Sequence, residues 1–313
     1  MTAPALPRAF IWRRAHSLAG FWLTLYLIEH LFVNSQAALF FGDDGVSFIR
    51  AVNAIQELPY LPILEVAVLG IPIFIHSWWG FKYLRTSKSN SYGYDGKHPY
   101  LPEYGRNHAY TWQRITSWVL IVAIIAHVVH MRFIEYPAKS QEGIQHFYMV
   151  RVDDDSGIRT LAERLQVKLY NQHEIEELKK QLPEQKFNSE ETVEERLQKQ
   201  NIEEKYNFIR ALEKRPLKEH QWIAVSNNFG TAELLMLRET FKMPIMMLLY
   251  ALFVLAACFH AFNGLWTFLI SWGVTLSQRS QKAMLKVSKF LMILVAFLGL
   301  ITIFGTYWIN LRH

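Results

Sequence analysis

The chain has 313 residues, of which 51% are hydrophobic and 14% aromatic, and ten of them are tryptophan. Its formal net charge is +6, but Lys and Arg cluster beside apolar runs instead of forming one basic stripe, so we expect no nucleic-acid partner. The single cysteine, Cys258, excludes an internal disulfide, a cysteine-ligated metal site and the C-x-x-C-H cofactor-attachment motif. This composition indicates a multi-pass protein of a lipid bilayer, where Trp is enriched at the interfaces.

Five segments are apolar over the roughly 20 residues that a membrane span requires. They lie at about 17–41, 61–81, 115–134, 243–272 and 288–309. The first segment is too long for the apolar region of a signal peptide and contains Glu29 and His30, so we expect it to be retained. The sequence therefore predicts an all-α membrane protein with five transmembrane helices, helices 1–3 in residues 1–134 and helices 4–5 in residues 241–313.

Basic residues of the short loops predict the orientation of these helices. They precede helix 1, follow helix 2 and precede helix 5: Arg8, Arg13, Arg14, Lys82, Arg85, Lys88, Lys97, Arg106, Arg279, Lys282 and Lys286. The loop from Gly42 to Tyr60 carries only Arg50 against Asp43, Asp44 and Glu57, so it is expected to face outward. We therefore predict a cytoplasmic N-terminus.

Residues 135–240 form a charged insertion between helices 3 and 4, which this topology places in the periplasm. Segments 146–152 and 221–225 look like strands, and 158–170, 190–214 and 231–241 have helical spacing. The Glu/Lys-rich stretch 172–218 is typical of a solvated helical face. The prediction is a small soluble domain, either α/β or mostly helical.

Histidines fall one on each of the first four predicted helices: His30, His76, His127 and His260. Ionisable residues within spans are costly and are candidate functional sites. Neutral imidazole is a natural axial ligand of haem iron, and bundle interiors build cofactor sites from facing side chains. We predict two b-type haems in a four-helix core. For any single histidine, a hydrogen bond between helices is the alternative.

Depth along the helices predicts how the histidines pair. His30 and His127 each lie on the order of 20 Å from the cytoplasmic edge, counted from Arg14 and Arg114 at 1.5 Å per residue. His76 lies about 9 Å from that edge and His260 about 27 Å below the opposite one. The first two would share an outer haem and the last two an inner haem.

Two further histidines and a basic group flank these positions. His130 is one turn from His127 and is its rival as a ligand, whereas His16 at the cytoplasmic mouth is a candidate for contact with a haem propionate or a quinone. Arg14, Lys82 and Arg114 could also bind propionates, although topology alone would place basic residues there. Gly20, Gly70, Gly80 and Gly264 would leave room for a flat macrocycle.

Motifs on four helices resemble those of a known family. They are residues 13–20 (RRAHSLAG), 28–34 (IEHLFVN), 72–80 (PIFIHSWWG), 113–116 (QRIT) and 259–266 (FHAFNGLW). The chain resembles the five-helix dihaem cytochrome b subunits of bacterial succinate dehydrogenases and fumarate reductases, although the better-known members lack the large insertion. The resemblance implies that the four histidines are axial ligands, with helix 1 paired to 3 and helix 2 to 4.

The same resemblance implies a function in the bacterial inner membrane. A flavoprotein subunit oxidises succinate, an iron–sulfur subunit delivers electrons to the inner haem, and the outer haem reduces a quinone, usually menaquinone. Glu65, near the outer start of helix 2, matches an acidic position in relatives and is the candidate for proton exchange with the quinone; Glu29 is a second candidate. As alternatives, Glu65 is an interfacial carboxylate that faces water, and the chain is a cytochrome b anchor of a formate dehydrogenase or hydrogenase, or a haem-free proton-coupled transporter.

Overall fold

A computed structural model of the chain describes residues 7–40, 42–87, 103–182 and 193–312. Two basic residues of the topology argument, Lys88 and Lys97, lie outside these ranges, as do His98 and His313. The chain divides into two compact units. Unit 1 comprises Met1–Ser35, Leu58–His127 and Leu248–Thr302, and unit 2 comprises Gln36–Glu57, Val128–Met247 and Ile303–His313.

Unit 1 is built from long apolar helices. In chain order they are α1 (Arg8–Ser35), α3 (Leu61–Thr86), α4 (Gly105–Ile134), α9 (Pro244–Ser271) and α10 (Gln278–Asn310), and α4, α9 and α10 continue into residues of unit 2. Among the described residues, the last four of these helices are long and apolar enough to cross a membrane. The chain is therefore a multi-pass membrane protein, as predicted.

The first predicted span corresponds to α1, which is 28 residues long. It is not one of the four candidate spans, because the polar Glu29 and His30 interrupt its apolar run and lower its mean hydropathy. A fifth crossing by α1 therefore stays a prediction. Within unit 1, α1 packs along α3 and α10, and the methyl groups of Leu31 and Val254 leave space only for a glycine at position 299.

Unit 2 contains a four-stranded antiparallel sheet in the order β1-β2-β4-β3. The strands are β1 (Ala138–Glu142), β2 (Gln145–Asp153), β3 (Lys168–Tyr170) and β4 (Gln221–Ser226). The helices are α2 (Val46–Gln56), α5 (Ile158–Arg164), α6 (Gln172–Lys180), α7 (Val193–Glu213) and α8 (Phe229–Thr240). This part of the chain is thus the α/β alternative of the sequence prediction.

Helices cover both faces of this sheet. Because side chains alternate along a strand, Val150 and Val152 of β2 pack with residues of α5 and α8, whereas Met149 packs on the opposite face with residues of α6 and α7. Both clusters are nearly inaccessible to solvent. The sheet is therefore the middle layer of three, which explains the continuous apolar character of β2 and β4.

The helix predicted over 158–170 is wrong beyond Arg164. Gln166 has a φ of 55°, and the amide of Val167 donates to the carbonyl of Ala162 at 2.8 Å, which ends α5. Residues Lys168–Tyr170 then pair with β4 as an edge strand. A left-handed residue that is not glycine or asparagine gives no local signal, so the sequence pattern does not show that the helix ends at Arg164.

Segments outside the predicted insertion also belong to unit 2. Asp44 accepts two hydrogen bonds from the Arg164 guanidinium, at 2.6 and 3.0 Å. The amide of Gly230 donates to Asn53 Oδ1 at 2.7 Å, and a Cβ at position 230 would lie 2.5 Å from the carbonyl oxygen of Ile49. The loop before α3 is therefore tied to α5 and α8 through specific polar contacts.

Two carboxyl groups of α8, those of Glu233 and Glu239, are shielded from water. Burial raises the pKa of Glu233, on α8, to about 7, while the nearby Arg132 lowers it in part. The protonated form is thus favoured in the folded state. For an acid with a raised pKa, this stabilisation is complete below the unfolded value of 4.5 and is lost as the pH rises through 7.

Hydrogen exchange, corrected for the intrinsic exchange rate, gives the free energy of opening of α8. We expect this free energy to fall by roughly 2–3 kcal/mol between pH 5 and pH 7.5. The variant Glu233→Gln should lose the part of this pH dependence that Glu233 contributes, since it has no proton to release. The rest should remain, because burial also raises the pKa of Glu239 on the same helix to about 7. The exposed Glu219→Gln is the matched control. An unchanged pH dependence in Glu233→Gln would contradict this explanation.

Candidate cofactor site

The four intramembrane histidines lie on four different helices of unit 1 and meet in two pairs. The ring centres of His30 and His127 are 6.1 Å apart with the planes at 76°. Those of His76 and His260 are 6.0 Å apart with the planes at 84°. These are the same two pairs that were predicted from the depth of each histidine along its helix.

The donor set of each pair fits an axially ligated haem. If haem were bound, the two imidazoles of each pair would be the residues that hold its iron, which would supply one-electron transfer. Among the described residues, no group of three or more His, Cys, Asp and Glu side chains forms a metal cluster. The arrangement therefore offers paired imidazoles rather than a chelating cage.

His76 is fixed by a reciprocal contact with His16. His76 Nδ1 donates to the His16 carbonyl at 3.0 Å, and His16 Nδ1 donates to the His76 carbonyl at 2.9 Å. The two rings stack at 4.1 Å with nearly parallel planes. Because a carbonyl can only accept a hydrogen bond, the proton of His76 lies on Nδ1. Its Nε2 then carries a lone pair and takes no part in the contact with His16.

Glycines make this contact possible. A Cβ at Gly20 would lie 2.7 Å from His76 Cε1, and one at Gly80 would lie 3.3 Å from His16 Cε1. At Gly70, by contrast, a Cβ would meet only Val66 at an ordinary distance of 3.7 Å. Gly20 thus leaves space for the ring of His76. The sequence had predicted instead that this glycine leaves room for a flat macrocycle.

His260 is oriented by hydroxyl groups of α4. Its Nδ1 lies 3.4 Å from both Thr116 Oγ1 and Ser117 Oγ. Thr116 Oγ1 donates to the Trp112 carbonyl at 2.8 Å, and Ser117 Oγ donates to the Gln113 carbonyl at 2.7 Å. Both hydroxyls are therefore placed to accept from His260. Gln113 in turn donates to the His260 carbonyl at 3.2 Å. His260 therefore also carries its proton on Nδ1, which leaves the lone pair on Nε2.

Tyrosines stand beside the other pair. The hydroxyl of Tyr26 lies 3.3 Å from His30 Nδ1, and that of Tyr250 lies 3.3 Å from His127 Nδ1. Neither tyrosine was predicted from the sequence. Tyr26 is one helical turn before His30, so its spacing was a usable signal, whereas Tyr250 reaches His127 across 123 residues of chain.

The predicted propionate ligands differ in what they already contact. Arg14 donates to the carbonyl of Ser271 and lies over the Trp272 ring, so it ties α1 to the end of α9. The Lys82 ammonium lies 4.4 Å from the centre of the Trp79 ring. Arg114 Nε is buried and has no hydrogen-bond partner. Of these three cations, Arg114 therefore has an unsatisfied donor suited to a carboxylate.

Glu65 ends a short α-helical stretch just before a π-helical turn, Val66–Gly70. It is half-buried, and both Glu65 and Glu29 interact electrostatically with the Tyr26 hydroxyl. The π-turn is anchored by Trp22 Nε1, which donates to the Val68 carbonyl at 2.8 Å. Two carboxyl groups therefore lie near the tyrosine that neighbours His30.

His130, the rival of His127, lies in a second π-helical turn, Val129–Ile134. That turn belongs to unit 2, whereas His127 belongs to unit 1. The ring contact with His30 is made by His127. The structure thus brings His127 to the first pair, and its role as an iron ligand stays a prediction.

The chain is similar to the succinate dehydrogenase cytochrome b558 subunit of Bacillus subtilis (strain 168). The two are 22% identical over 299 residues, which cover 95% of this chain and 97% of the relative. The likeness supports the family resemblance. No protein-family model and no solved structure matches the chain.

We expect Gly20→Ala to displace the His76 ring, because the added methyl group would overlap it. If the ring is an iron ligand, haem content measured by the pyridine haemochrome method should fall toward about half, with the His30 and His127 spectrum retained. Gly70→Ala is the matched control on α3 and should bind haem normally. Equal haem content in the two variants would show that His76 tolerates the methyl group.

Proposed function

We propose that the chain is the membrane anchor and dihaem cytochrome b subunit of a bacterial succinate:menaquinone oxidoreductase. The observation that carries this proposal is the meeting of four histidines from four helices in two pairs about 6 Å apart. The likeness to a succinate dehydrogenase cytochrome b558 subunit supports it. In this proposal succinate is oxidised on a partner flavoprotein, and this chain contributes the quinone-reactive end.

When bound, haem b supplies one-electron transfer between ferric and ferrous iron. We assign one haem to His76 and His260 and the other to His30 and His127. The protein holds each ligand by its Nδ1: a backbone carbonyl for His76, hydroxyls for His260, and tyrosine hydroxyls for His30 and His127. Such partners fix ring orientation and raise ligand basicity.

In the proposed topology the N-terminus is cytoplasmic and the His76 and His260 pair is the inner one. An iron–sulfur partner subunit would deliver electrons at that face, and a quinone would accept them near the His30 and His127 pair. Charge that moves between the two faces responds to the membrane potential by about 2.3 kcal/mol per elementary charge per 100 mV. The transmembrane arrangement of the pairs thus couples quinone reduction to that potential.

Protons for the quinone would pass through the carboxyl groups beside Tyr26. Glu65 is half-buried and lies at the outer end of α3 in the proposed topology, while Glu29 flanks the same tyrosine. A carboxyl group that is partly shielded from water can bind and release a proton as the quinone turns over. We assign Glu65 as the proton-exchange residue.

Single substitutions of the histidines test the pairing. We expect His76→Ala and His260→Ala to lose the same haem, and His30→Ala and His127→Ala to lose the other, because each iron needs both of its axial ligands. Redox-titrated optical spectra of the purified complexes resolve the two signals. Loss patterns that cross these pairs, or a wild-type content of one haem per chain, would overturn the assignment.

Glu65→Gln tests the proton step, since glutamine keeps size and hydrogen bonding but cannot titrate. We expect succinate-to-quinone turnover to fall about tenfold or more, while haem content and succinate oxidation with an artificial acceptor stay unchanged. Glu57→Gln, an exposed carboxyl group before the same helix, is the matched control. Equal turnover in both variants across pH would leave Glu65 as a surface carboxylate.

A further inference from the structure

A cavity of about 820 Å³ opens in unit 1 among the start of α4, the second half of α9 and the first half of α10. Its size is that of sites for small organic ligands. On α9 it is lined by Phe259, Phe262, Asn263 and Trp266, which are three or four residues apart and share one helix face. His260 lies on a different part of the turn and contacts His76. The cavity is therefore separate from the histidine pairs.

The polar part of this cavity is positively charged. Arg106, Lys282 and Lys289 line it, and none of the described lining residues is acidic. The Arg106 guanidinium donates to the neutral amide of Gln281 at 3.0 Å and lies 5.3 Å from the centre of the Trp266 ring. Neither contact neutralises its charge. An anion entering the cavity would therefore meet three cationic side chains.

A buried hydroxyl points to a ligand in the same place. Ser288 lines the cavity, is 2% exposed, and its Oγ has no hydrogen-bond partner. Leaving a buried polar group unpaired costs about 1–3 kcal/mol, and such groups in native proteins are normally satisfied. A phosphate oxygen of a bound molecule would satisfy this hydroxyl.

The cavity lies where α10 changes from charged to apolar. Lysines occur up to Lys289, and from Phe290 to Tyr307 the helix carries no charged residue. Leu285 and Met292 continue the apolar wall formed by Phe259 and Phe262. This combination of cations above an apolar wall occurs at the level of lipid headgroups. A neutral quinone would not account for the three cations, and a soluble partner would not occupy the apolar wall.

We propose that this cavity binds one anionic phospholipid, with its phosphate among Arg106, Lys282, Lys289 and the Ser288 hydroxyl, and an acyl chain along Phe259, Phe262, Leu285 and Met292. Basic pockets between membrane helices bind anionic headgroups in this way. The site is independent of haem and quinone, so its test does not depend on the proposed function.

The test is lipid titration of the delipidated full-length protein, followed by native mass spectrometry. The probes are dioleoylphosphatidylglycerol, the zwitterionic dioleoylphosphatidylcholine with the same acyl chains, and inorganic phosphate alone. We expect one phosphatidylglycerol to bind more tightly than phosphatidylcholine. The double variant Lys282→Gln/Lys289→Gln should weaken its binding about 30-fold, and Ser288→Ala should weaken it about fivefold.

The matched control is Arg279→Gln/Lys286→Gln, which removes the same charge from the same helix outside the cavity lining. It should change the affinity by less than about twofold. Three outcomes would overturn the proposal. They are equal affinity for the two lipids, equal weakening of phosphatidylglycerol binding by the control variant, and lysine-dependent binding of inorganic phosphate without binding of phosphatidylglycerol.

Discussion

The contact between His16 and His76 is the constraint on which the candidate site depends. Two imidazole rings stack between α1 and α3 and exchange hydrogen bonds with each other's backbone carbonyls. The approach is close enough that Gly20 cannot carry a side chain without displacing His76. Backbone carbonyls within a helix normally accept only from their own helix, so these bonds fix the two helices both along and around their axes.

The same contact determines which nitrogen atoms the pair formed by His76 and His260 can offer to a ligand. A histidine whose Nδ1 proton is held by a carbonyl presents one defined nitrogen, and it cannot rotate to offer the other. His260 reaches the same state by a different route, through two hydroxyls whose own protons are already donated to backbone carbonyls of α4. Both members of the pair are therefore oriented before any ligand binds, which lowers the cost of binding.

The histidines could be predicted from the sequence, because a polar side chain inside an apolar helix has an unfavourable free energy. Residues whose partners come from distant parts of the chain could not be predicted. Histidines in apolar helices stand out because they are expensive there, and their depth follows from counting residues. The hydroxyls of Thr116 and Ser117 carry no such signal, since small hydroxyl residues are common in membrane helices and bond to their own backbone. Only the packing of α4 on α9 shows that they also face His260.

The α/β unit shows the same division. The two central strands were predicted because they are apolar on both faces, as a sheet covered by helices requires. The edge strands β1 and β3 are short, and β1 (AKSQE) is mostly polar. An edge strand is often polar and short, which disfavours pairing with other chains, and the same features make it resemble a loop in the sequence. Its assignment required the register with β2.

The π-helical turns have a consequence for comparing this chain with its relatives. Among the described residues there are three, Val66–Gly70, Val129–Ile134 and Ile301–Gly305, and each lies within a long apolar helix. A π-turn holds about one residue more than an α-helical turn, so losing that residue converts it to regular helix and rotates the following side chains by roughly 100°. Single-residue gaps inside helices, rather than in loops, are therefore physically reasonable when homologues are aligned. At 22% identity, placing those gaps correctly decides which residues on either side of each turn are equivalent.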